Sequence, residues 1–342
     1  MSPVFPHSRV PPGSAYSFCT ARHYVDQDAQ LGTRRAYRKT RERPTDPEPH
    51  AKLAATLDFG ELMATDTLAT GLCFGEGPRW HDDALWVSDM HAHAVLRFTI
   101  QGTRDVVTEV PNRPSGLGWL PNGDLLVVSM TDRRLLRWDG STLHTHADLS
   151  KLASFDCNDM VVDRDGRAYV GNFGFDLHAN AAPKQAELVC VEPNGAARVV
   201  ADELAFPNGT VITPDGNTLI VGESWGGRLT AFDIAANGDL SNRRTWADLP
   251  DGAVPDGICL DSDGGIWVAS PSTNECARVT EGGAVTHRVI LQQGAFACML
   301  GGPDESTLFV LTAGSSDPER CRKERSGRIE FTTAPFPRAG LP

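Results

Sequence analysis

The chain has 342 residues and a formal net charge of −12, with 32 Lys and Arg against 44 Asp and Glu. Hydrophobic residues make up 40% of it, which is enough for a sizeable core and excludes wholesale disorder. The acidic balance excludes a general nucleic-acid binder, because such a protein needs a basic face to neutralise phosphates. No stretch approaches the run of about 18 apolar residues that a membrane span needs, so no membrane span is expected.

The first part of the chain differs from the rest in charge. Residues 1–50 contain eight Arg or Lys and five Asp or Glu, a net charge of +3, which leaves −15 for residues 51–342. The segment is also rich in proline and has no sustained apolar periodicity, so residues 1–57 are expected to form a basic, largely unstructured N-terminal extension. It lacks the apolar core of a secretory signal. A transit peptide and a mis-assigned upstream start are the alternatives for this segment.

Eight cysteines are scattered along the chain, with no CxxC pair and no disulfide-like spacing. They lie at positions 19, 73, 157, 190, 259, 276, 298 and 321. In a chain of this length, such a distribution indicates buried, reduced thiols and a cytoplasmic protein.

The remainder of the chain contains six similar segments. Each begins with a small or polar residue, bends, and continues as an apolar strand, a turn cluster and two further short strands. The six segments begin at Glu76, Ser115, Asn158, Asn208, Asp256 and Ala297. These residues are 39, 43, 50, 48 and 41 positions apart, which is the repeat length of a β-propeller blade. An all-β, six-bladed β-propeller is therefore predicted for residues 58–342.

The sixth repeat lacks an outer strand, because nothing after Phe331 can supply one. The segment 62–68 precedes the first repeat and has the composition of the missing strand. We therefore expect an N-terminal strand to complete the sixth blade, which would close the ring and remove an exposed sheet edge.

The innermost strand of each blade lines the central channel of a propeller, so the six first residues are expected to meet at its axis. Four of these six ring positions carry oxygen donors larger than Ser, namely Glu76, Asn158, Asn208 and Asp256. Two carboxylates and two amides suit a divalent cation, without which the carboxylates would repel each other. The alternative is a water-filled polar channel. No His is in the ring, which excludes a His-rich zinc site and leaves Ca²⁺, Zn²⁺, Mg²⁺ and Mn²⁺ open.

Five motifs lie in order at blade spacing: Phe74–Trp80, Asn158-Asp159 with the turn 163–166, Pro207-Asn208-Gly209, Pro255–Asp261 and Gly327–Glu330. Through these motifs the chain, from about Gly71 to its C-terminus, resembles the SMP-30/gluconolactonase/LRE-like family of lactonases. The resemblance implies a metal held by Glu76, Asn208 and Asp256. It also implies that Asn158 contacts the substrate or lies in the outer reach of the metal.

The resemblance also points to two acidic residues near the substrate. Animal sugar lactonases of the family carry an Arg two residues before the Asn that matches Asn158, and this chain has Asp156 there instead. Their substrate-binding Glu corresponds to Asp176, a shorter acid. Asp156, Asn158 and Asp176 are therefore the predicted substrate-binding residues.

The resemblance implies hydrolysis of a cyclic ester, and the expected ligand set indicates how this reaction would proceed. A divalent ion with three protein oxygens keeps positions for water and a substrate carbonyl, polarises the carbonyl and lowers the pKa of the water. Asp256 is the expected general base, with Glu76 chiefly a ligand, and the reverse assignment stays open. The prediction is a metal-dependent lactonase that acts on a small molecule and needs no organic cofactor. An esterase or phosphotriesterase with the same site, or a non-catalytic propeller that binds metal or a partner protein, are the alternatives.

Other conspicuous residues are expected to be structural. Residues 222–226 match the G-x-S-x-G nucleophile elbow, but the pattern after them is that of a strand and not of a helix, so a blade hairpin is predicted. His91 and His93 are expected to be solvated loop residues beside the channel mouth, and contact of one of them with the substrate is the alternative. The post-strand residues Asn172, Phe173, Phe175 and Trp225 are candidates either for pocket walls or for packing between blades.

Overall fold

The computed structural model describes residues 61–342, so the predicted extension 1–57 and its boundary at residue 58 lie outside the described residues. The strands of the described part form six sheets of four or five strands. The innermost strand of each sheet packs against that of the next, and the sixth packs against the first. The predicted six-bladed β-propeller is therefore confirmed. No helix within residues 61–342 has the length and apolarity needed to cross a membrane.

The strands follow the order of the repeats. Two strands precede the first blade, β1 (Glu61–Met63) and β2 (Asp66–Leu72). Blade one contains β3 (Gly75–His81), β4 (Ala84–Asp89), a 3₁₀ turn (Met90–Ala92), β5 (Ala94–Phe98) and β6 (Arg104–Glu109). Blade two contains β7 (Pro114–Trp119), β8 (Leu125–Ser129), β9 (Arg134–Trp138) and β10 (Leu143–Asp148). Blade three contains β11 (Cys157–Val162), β12 (Ala168–Asn172), β13 (Ala186–Val191) and β14 (Ala197–Leu204).

The last three blades have the same antiparallel meander. Blade four contains β15 (Pro207–Ile212), β16 (Thr218–Glu223), β17 (Arg228–Ile234) and β18 (Leu240–Asp248). Blade five contains β19 (Ile258–Leu260), β20 (Ile266–Ser270), β21 (Glu275–Val279) and β22 (Val285–Ile290). Blade six contains β23 (Gly294–Gly301), β24 (Thr307–Ala313), the helix α1 (Pro318–Glu324) and β25 (Gly327–Thr333).

The N-terminal strands hold two neighbouring blades. β2 pairs antiparallel with β25, from Asp66 opposite Phe331 to Leu72 opposite Gly327, so the predicted ring closure is confirmed. The expected strand covered residues 62–68. The observed strand β2 instead ends at Leu72 and does not include Leu62. Leu62 instead lies in β1, which pairs in parallel with β22 as a fifth strand of blade five.

The innermost strands approach each other closely because glycine follows the ring position in four blades. The backbone N–H of Gly209 donates to the carbonyl of Asp256 at 3.1 Å, which links blades four and five. A Cβ at Gly209 would lie 2.4 Å from the backbone nitrogen of Ile258. A side chain at this position would therefore force the blades apart, and only glycine permits the observed convergence at the axis.

The hydrophobic core lies between and within the blades. Trp267 of blade five is fully buried, and Trp80 stacks on Phe309 of blade six with ring centroids 5.8 Å apart. All seven cysteines of the described residues are buried and none forms a disulfide, as their scattered positions predicted.

The C-terminal segment crosses the ends of the innermost strands that are opposite to the ring positions. Arg338 donates from its backbone to Glu305 and from its guanidinium to the carbonyl of Trp80. Ala339 donates to Leu260 at 3.0 Å, and Leu341 exchanges two hydrogen bonds with Ile212. The segment thereby contacts blades one, four, five and six. A cavity of about 600 Å³ lies beside it, at the hairpins of blades one to three.

Candidate functional site

The ring positions occupy equivalent places at the start of the innermost strands. Glu76, Asn158 and Asn208 are each the second residue of their strand, whereas Asp256 lies two residues before β19. Glu76, Asn158 and Asn208 are buried, and Asp256 is partly exposed. The structure therefore brings the predicted metal-binding residues Glu76, Asn208 and Asp256 to one end of the channel axis.

Burial and neighbouring charges raise the pKa of both ring carboxylates. Burial, and then the nearby charge of Asp256, raise the pKa of Glu76 well above its ordinary value. Burial also raises the pKa of Asp256, and the neighbouring amide of Asn208 opposes that rise. The one hydrogen bond that the Glu76 carboxylate accepts from the described residues is a long one of 3.3 Å from Gly77. The axis thus carries more negative charge than its hydrogen bonds compensate.

Asp159 is a third carboxylate at the axis, and it was assigned no role from the sequence. It is buried and accepts a hydrogen bond of 2.7 Å from the guanidinium of Arg79, which is also buried. Its charge contributes to the raised pKa of both Glu76 and Asp256. The available signal was its place directly after Asn158, where four other blades have glycine and the fifth has cysteine.

Arg79 ties three blades together beside the ring. Its guanidinium donates to the carbonyl of Leu117 in blade two at 3.0 Å, and to Asp159 and the carbonyl of Met160 in blade three. A buried arginine that is satisfied in this way costs less than an unpaired charge would, and its rigid fork fixes the relative positions of its acceptors. Arg79 therefore pairs with Asp159 and only partly offsets the charge of Glu76, while neither Glu76 nor Asp256 forms an ion pair in the described part of the chain.

Ser224 holds the amide of Asn208, a role that sequence reasoning missed. Its hydroxyl donates to the carbonyl of Pro255 at 2.6 Å and accepts from Asn208 Nδ2 at 3.2 Å. The only signal was the G-x-S-x-G motif, which was assessed as a nucleophile elbow. β16 ends at Glu223 and β17 begins at Arg228, so the predicted hairpin is confirmed. Ser224 thus positions a neighbouring side chain.

The chemistry of the ring fits a divalent cation. Among residues 61–342, no three His, Cys, Asp or Glu side chains are grouped so that they could hold a metal ion, so a metal at the axis requires amide oxygens. Because Asn208 uses its nitrogen on Ser224, its oxygen is available to a ligand. Glu76, Asn208 and Asp256 then supply two carboxylates and one carbonyl oxygen, the donors that Ca²⁺ and related hard cations take.

Asn158 presents a donor that the described protein groups do not use. Its Oδ1 accepts a hydrogen bond of 3.4 Å from the Ser115 hydroxyl, but its buried Nδ2 has no partner in the described part of the chain. A buried, unsatisfied amide costs free energy unless a ligand or water binds it. This geometry suits the predicted contact between Asn158 and a substrate oxygen.

Asp156 and Asp176 lie close to each other at the mouth of the channel. Asp156 directly precedes β11, and its carbonyl accepts from the backbone of Phe173 at 2.9 Å. Burial raises the pKa of Asp156, the charge of Arg113 opposes this, and the charge of Asp176 adds to it. The structure therefore places the two predicted substrate-binding carboxylates near each other, with the guanidinium groups of Arg113 and Arg133 near Asp156.

The expectation that His91 is a solvated loop residue is wrong. The 3₁₀ turn after β4 folds its ring inward against Phe74, at a centroid distance of 5.1 Å, and leaves it 2% exposed. Its Nε2 lies 3.3 Å from the carbonyl of Ser316. Burial lowers the pKa of His91 to about 4, so the imidazole is neutral at pH 7. His93 is partly exposed, as expected.

The aromatic residues near blades three and four combine both predicted roles. Phe173 stacks on Phe206 with centroids 4.4 Å apart, and Phe175 contacts Phe206 and Trp225 edge to face. The three phenylalanines are buried between the blades, whereas Trp225 is 38% exposed. Asn172 is fully buried, and its Oδ1 accepts from Gly174. Packing therefore explains most of this group, and Trp225 alone presents a large aromatic surface to solvent.

Comparison with known proteins agrees with this architecture. The sequence model of the SMP-30/gluconolactonase/LRE-like region matches residues 74–314, which include all six ring positions. The chain belongs to this family. The resemblance inferred from the motifs is thereby confirmed.

Curated relatives of the chain carry two kinds of name. Regucalcin of Xenopus laevis is 27% identical over 75% of this chain and 89% of its own length. A pentonolactonase of Haloferax volcanii is 25% identical over 74% of this chain and 86% of its own length. These relatives match over most of the propeller.

Solved structures show the same fold. A calcium-binding protein, regucalcin, from Agrobacterium tumefaciens superposes with a TM-score of 0.69 and 21% identity, over 82% of this chain and 97% of its own. A gluconolactonase of Xanthomonas campestris superposes with a TM-score of 0.62 and 25% identity, over 81% of this chain and 89% of its own.

Proposed function

We propose that this protein is a divalent-metal-dependent lactonase that opens a small cyclic ester to a hydroxy acid. The observation that carries the proposal is the convergence of Glu76, Asn208 and Asp256 at the channel axis, where neither carboxylate forms an ion pair within residues 61–342. The names of relatives, a pentonolactonase and a gluconolactonase, support the same chemistry. The substrate is a neutral small molecule, since a channel lined by carboxylates disfavours anions.

Glu76, Asn208 and Asp256 would hold the metal, which when bound supplies Lewis-acid polarisation of the ester carbonyl. Asn158 would donate a hydrogen bond from Nδ2 to a substrate oxygen, because this buried donor has no other partner in the described chain. Ser224 would keep the Asn208 oxygen turned to the axis through its contact with Nδ2.

Asp256 is the proposed general base, because it is the more exposed of the two ring carboxylates and can reach water. It takes a proton from the attacking water as the new C–O bond forms at the carbonyl carbon. The ring C–O bond then breaks, and the leaving alkoxide takes the proton back to give the hydroxy acid. Glu76, which is 6% exposed, would remain a ligand.

Metal analysis combined with pH-stat titration tests the proposal. The purified protein is expected to contain about one divalent ion per chain and to release acid from at least one member of a panel of sugar, aliphatic and aryl lactones. Asp256→Asn should lower kcat/KM by about 10²–10⁴-fold, because it removes the base while keeping the shape of the side chain. Asp105→Asn, an exposed carboxylate on the outer strand β6, is the matched control and should retain wild-type rates.

A second candidate function is metal binding without catalysis. It is favoured by the structural neighbour from Agrobacterium tumefaciens, which is described as a calcium-binding protein. Bound metal together with no acid release from any lactone of the panel would refute the lactonase proposal and select this function. The seven buried thiols also lead us to propose a cytoplasmic location, which fractionation of the native host would test.

A further inference from the structure

The residues two positions before the ring form a second layer at the channel mouth. We call this layer the outer tier; it consists of Phe74, Arg113, Asp156, Phe206, Val254 and Ala295. Arg113 is the single cation among these six residues, and Asp156 the single anion. They belong to neighbouring blades, two and three. A charged pair at equivalent positions therefore faces the approach to the ring.

The backbone places Arg113 and Asp156 on either side of Met130. The N–H of Met130 donates to the carbonyl of Arg113 at 3.0 Å, and its carbonyl accepts from Cys157, the neighbour of Asp156, at 3.2 Å. Arg113 also has a left-handed backbone with φ of 65°, which is uncommon for a residue with a side chain and is concentrated at functional sites. These backbone contacts fix the position from which the side chain of Arg113 leaves the loop.

The guanidinium of Arg113 is uncommitted. It is half-buried, yet within residues 61–342 it forms no hydrogen bond and no ion pair. By contrast, Arg133 on the same side of blade two donates to the carbonyl of Ala153, and Arg134 pairs with Asp132. A guanidinium carries five N–H donors in a fixed fork, and a half-buried one gains from an acceptor.

We propose that Arg113 is a substrate-binding residue, which donates hydrogen bonds to oxygen substituents of the lactone ring while Asp156 accepts from the adjacent hydroxyl. This assignment rests on the proposed lactonase function and specifies which substituents the site recognises. Because the charge of Asp156 lies near Arg113 and that of Asp176 lies near Asp156, a neutral hydroxyl is preferred over a carboxylate on the substrate. Buried Asn158 Nδ2 supplies a further donor below this pair.

The charges that face Arg113 come from the two neighbouring blades, one and three. Asp156 and Asp176 of blade three are anionic, while His91 of blade one and His178 of blade three add imidazoles. If Arg113 only neutralised Asp156, its loss would affect every substrate alike. If it binds a ring substituent, its loss should affect only substrates that carry one. The comparison of two lactones therefore separates the two roles.

Steady-state hydrolysis of D-xylono-1,4-lactone and of unsubstituted γ-butyrolactone by the metal-loaded protein tests the proposal. Arg113→Gln should raise KM for the hydroxylated lactone by about tenfold or more, with kcat changed less than about threefold, because a charged hydrogen bond made in the bound state is lost. The kcat/KM for γ-butyrolactone should stay unchanged. Arg113→Lys should restore part of the affinity, and Arg134→Gln should behave as wild type. Equal losses on both lactones, or no loss on either, would overturn the assignment.

Calorimetric binding of D-xylose, a neutral polyhydroxylated analogue that is not hydrolysed, separates this assignment from the function. If the wild type opens neither lactone, the lactonase proposal fails, and binding decides the role of Arg113. Binding of D-xylose that is lost in Arg113→Gln and kept in Arg134→Gln would uphold it. Equal binding by both variants, or no binding by the wild type, would refute it. Near-ultraviolet circular dichroism of each variant verifies the fold.

Discussion

The side chain of Asn208 reaches the channel axis, and its amide nitrogen donates a hydrogen bond to the hydroxyl of Ser224. Ser224 connects Asn208 Nδ2 to the carbonyl of Pro255, which directly precedes Asp256. One hydroxyl therefore orients one proposed ligand and supports the loop of another. Residues behind a metal ligand tune its orientation, and their loss commonly lowers affinity without unfolding the protein.

Ser224→Ala is expected to weaken the binding of Ca²⁺ about tenfold, because the Asn208 amide is free to rotate and the Pro255 carbonyl loses its donor. Calorimetric titration of the metal-free protein with CaCl₂ measures the effect. Ser262→Ala, an exposed hydroxyl near the opposite end of β19, is the control and should bind as wild type. Unchanged affinity in Ser224→Ala would contradict the positioning role.

The buried imidazole of His91 couples the stability of the fold to pH. Its pKa is about 4 in the folded protein and about 6.5 when unfolded, so acid favours the unfolded state. The neutral imidazole contributes fully to the free energy of unfolding above pH 6.5. This contribution is lost as the pH falls to about 4, and the loss is at most about 3 kcal/mol. In His91→Asn the free energy of unfolding should fall less steeply between pH 6.5 and 4.

Urea denaturation at several pH values in this range measures the His91 effect. His93→Asn is the control, because His93 is partly exposed and has a left-handed backbone with φ of 59°, which Asn also tolerates. An identical pH slope in His91→Asn and the wild type would show that other groups determine the acid sensitivity.

At the scale of elements, the innermost strands determine how closely the blades meet. Six strands of three to eight residues converge, and their separation depends on the residue after each ring position. Gly209 and Gly257 both donate backbone hydrogen bonds to the next blade, to Asp256 and Phe296. The same glycines thus set the spacing of the strands and connect the ring positions on adjacent blades.

Gly209→Ala should lower the free energy of unfolding by about 2–3 kcal/mol, because the added Cβ would lie 2.4 Å from the backbone of Ile258. It should also reduce metal affinity, since blade five carries Asp256. Thermal and urea denaturation measure the first effect and calorimetry the second. Gly314→Ala is the control, because its nearest neighbour is a serine hydroxyl at 3.2 Å that can move. Equal stability of the two variants would contradict a tight contact at the axis.

For the strands β1 and β2, the sequence pattern predicted the existence of one strand but not its bounds or the pairing of the other. The missing outer strand of blade six follows from the count of strands in the repeats, and β2 supplies it. The bounds were less predictable, because a solvent-facing outer strand has little burial to mark its ends. The parallel pairing of β1 with β22 had no signal in the sequence, since parallel partners are not joined by a turn.

At the scale of the whole molecule, the strands before the first blade and the segment after the last blade both hold the ring together. The N-terminal strands complete blades five and six, and the C-terminal segment bonds to blades one, four, five and six on the face opposite the ring positions. A propeller has no single core that spans all its blades, so such connections oppose the opening of the ring.

Deletion of residues 337–342 should lower the free energy of unfolding by about 2–4 kcal/mol, because five backbone hydrogen bonds to the ring are lost, each worth about 0.5–1.5 kcal/mol before the entropy of ordering. Arg338→Met is the matched variant. It keeps the backbone bonds and removes the partly exposed ion pair with Glu305, so it should cost less than about 1 kcal/mol. If the deletion lowers the free energy of unfolding no more than Arg338→Met does, the C-terminal segment does not stabilise the ring.

The sequence by itself determined the six blades, the closing N-terminal strand, the ring positions and the family. It could do so because strand, turn and channel residues recur at a fixed spacing, and a repeat is visible without knowledge of contacts. The tertiary structure alone decided the contacts of Arg79, Asp159 and Ser224, the uncommitted guanidinium of Arg113, the burial of His91 and the course of the C-terminal segment. The side chains of Arg79, Ser224, His91 and Arg338 contact residues that are 31 to 258 positions away in the chain, and such residues meet only when the ring is closed.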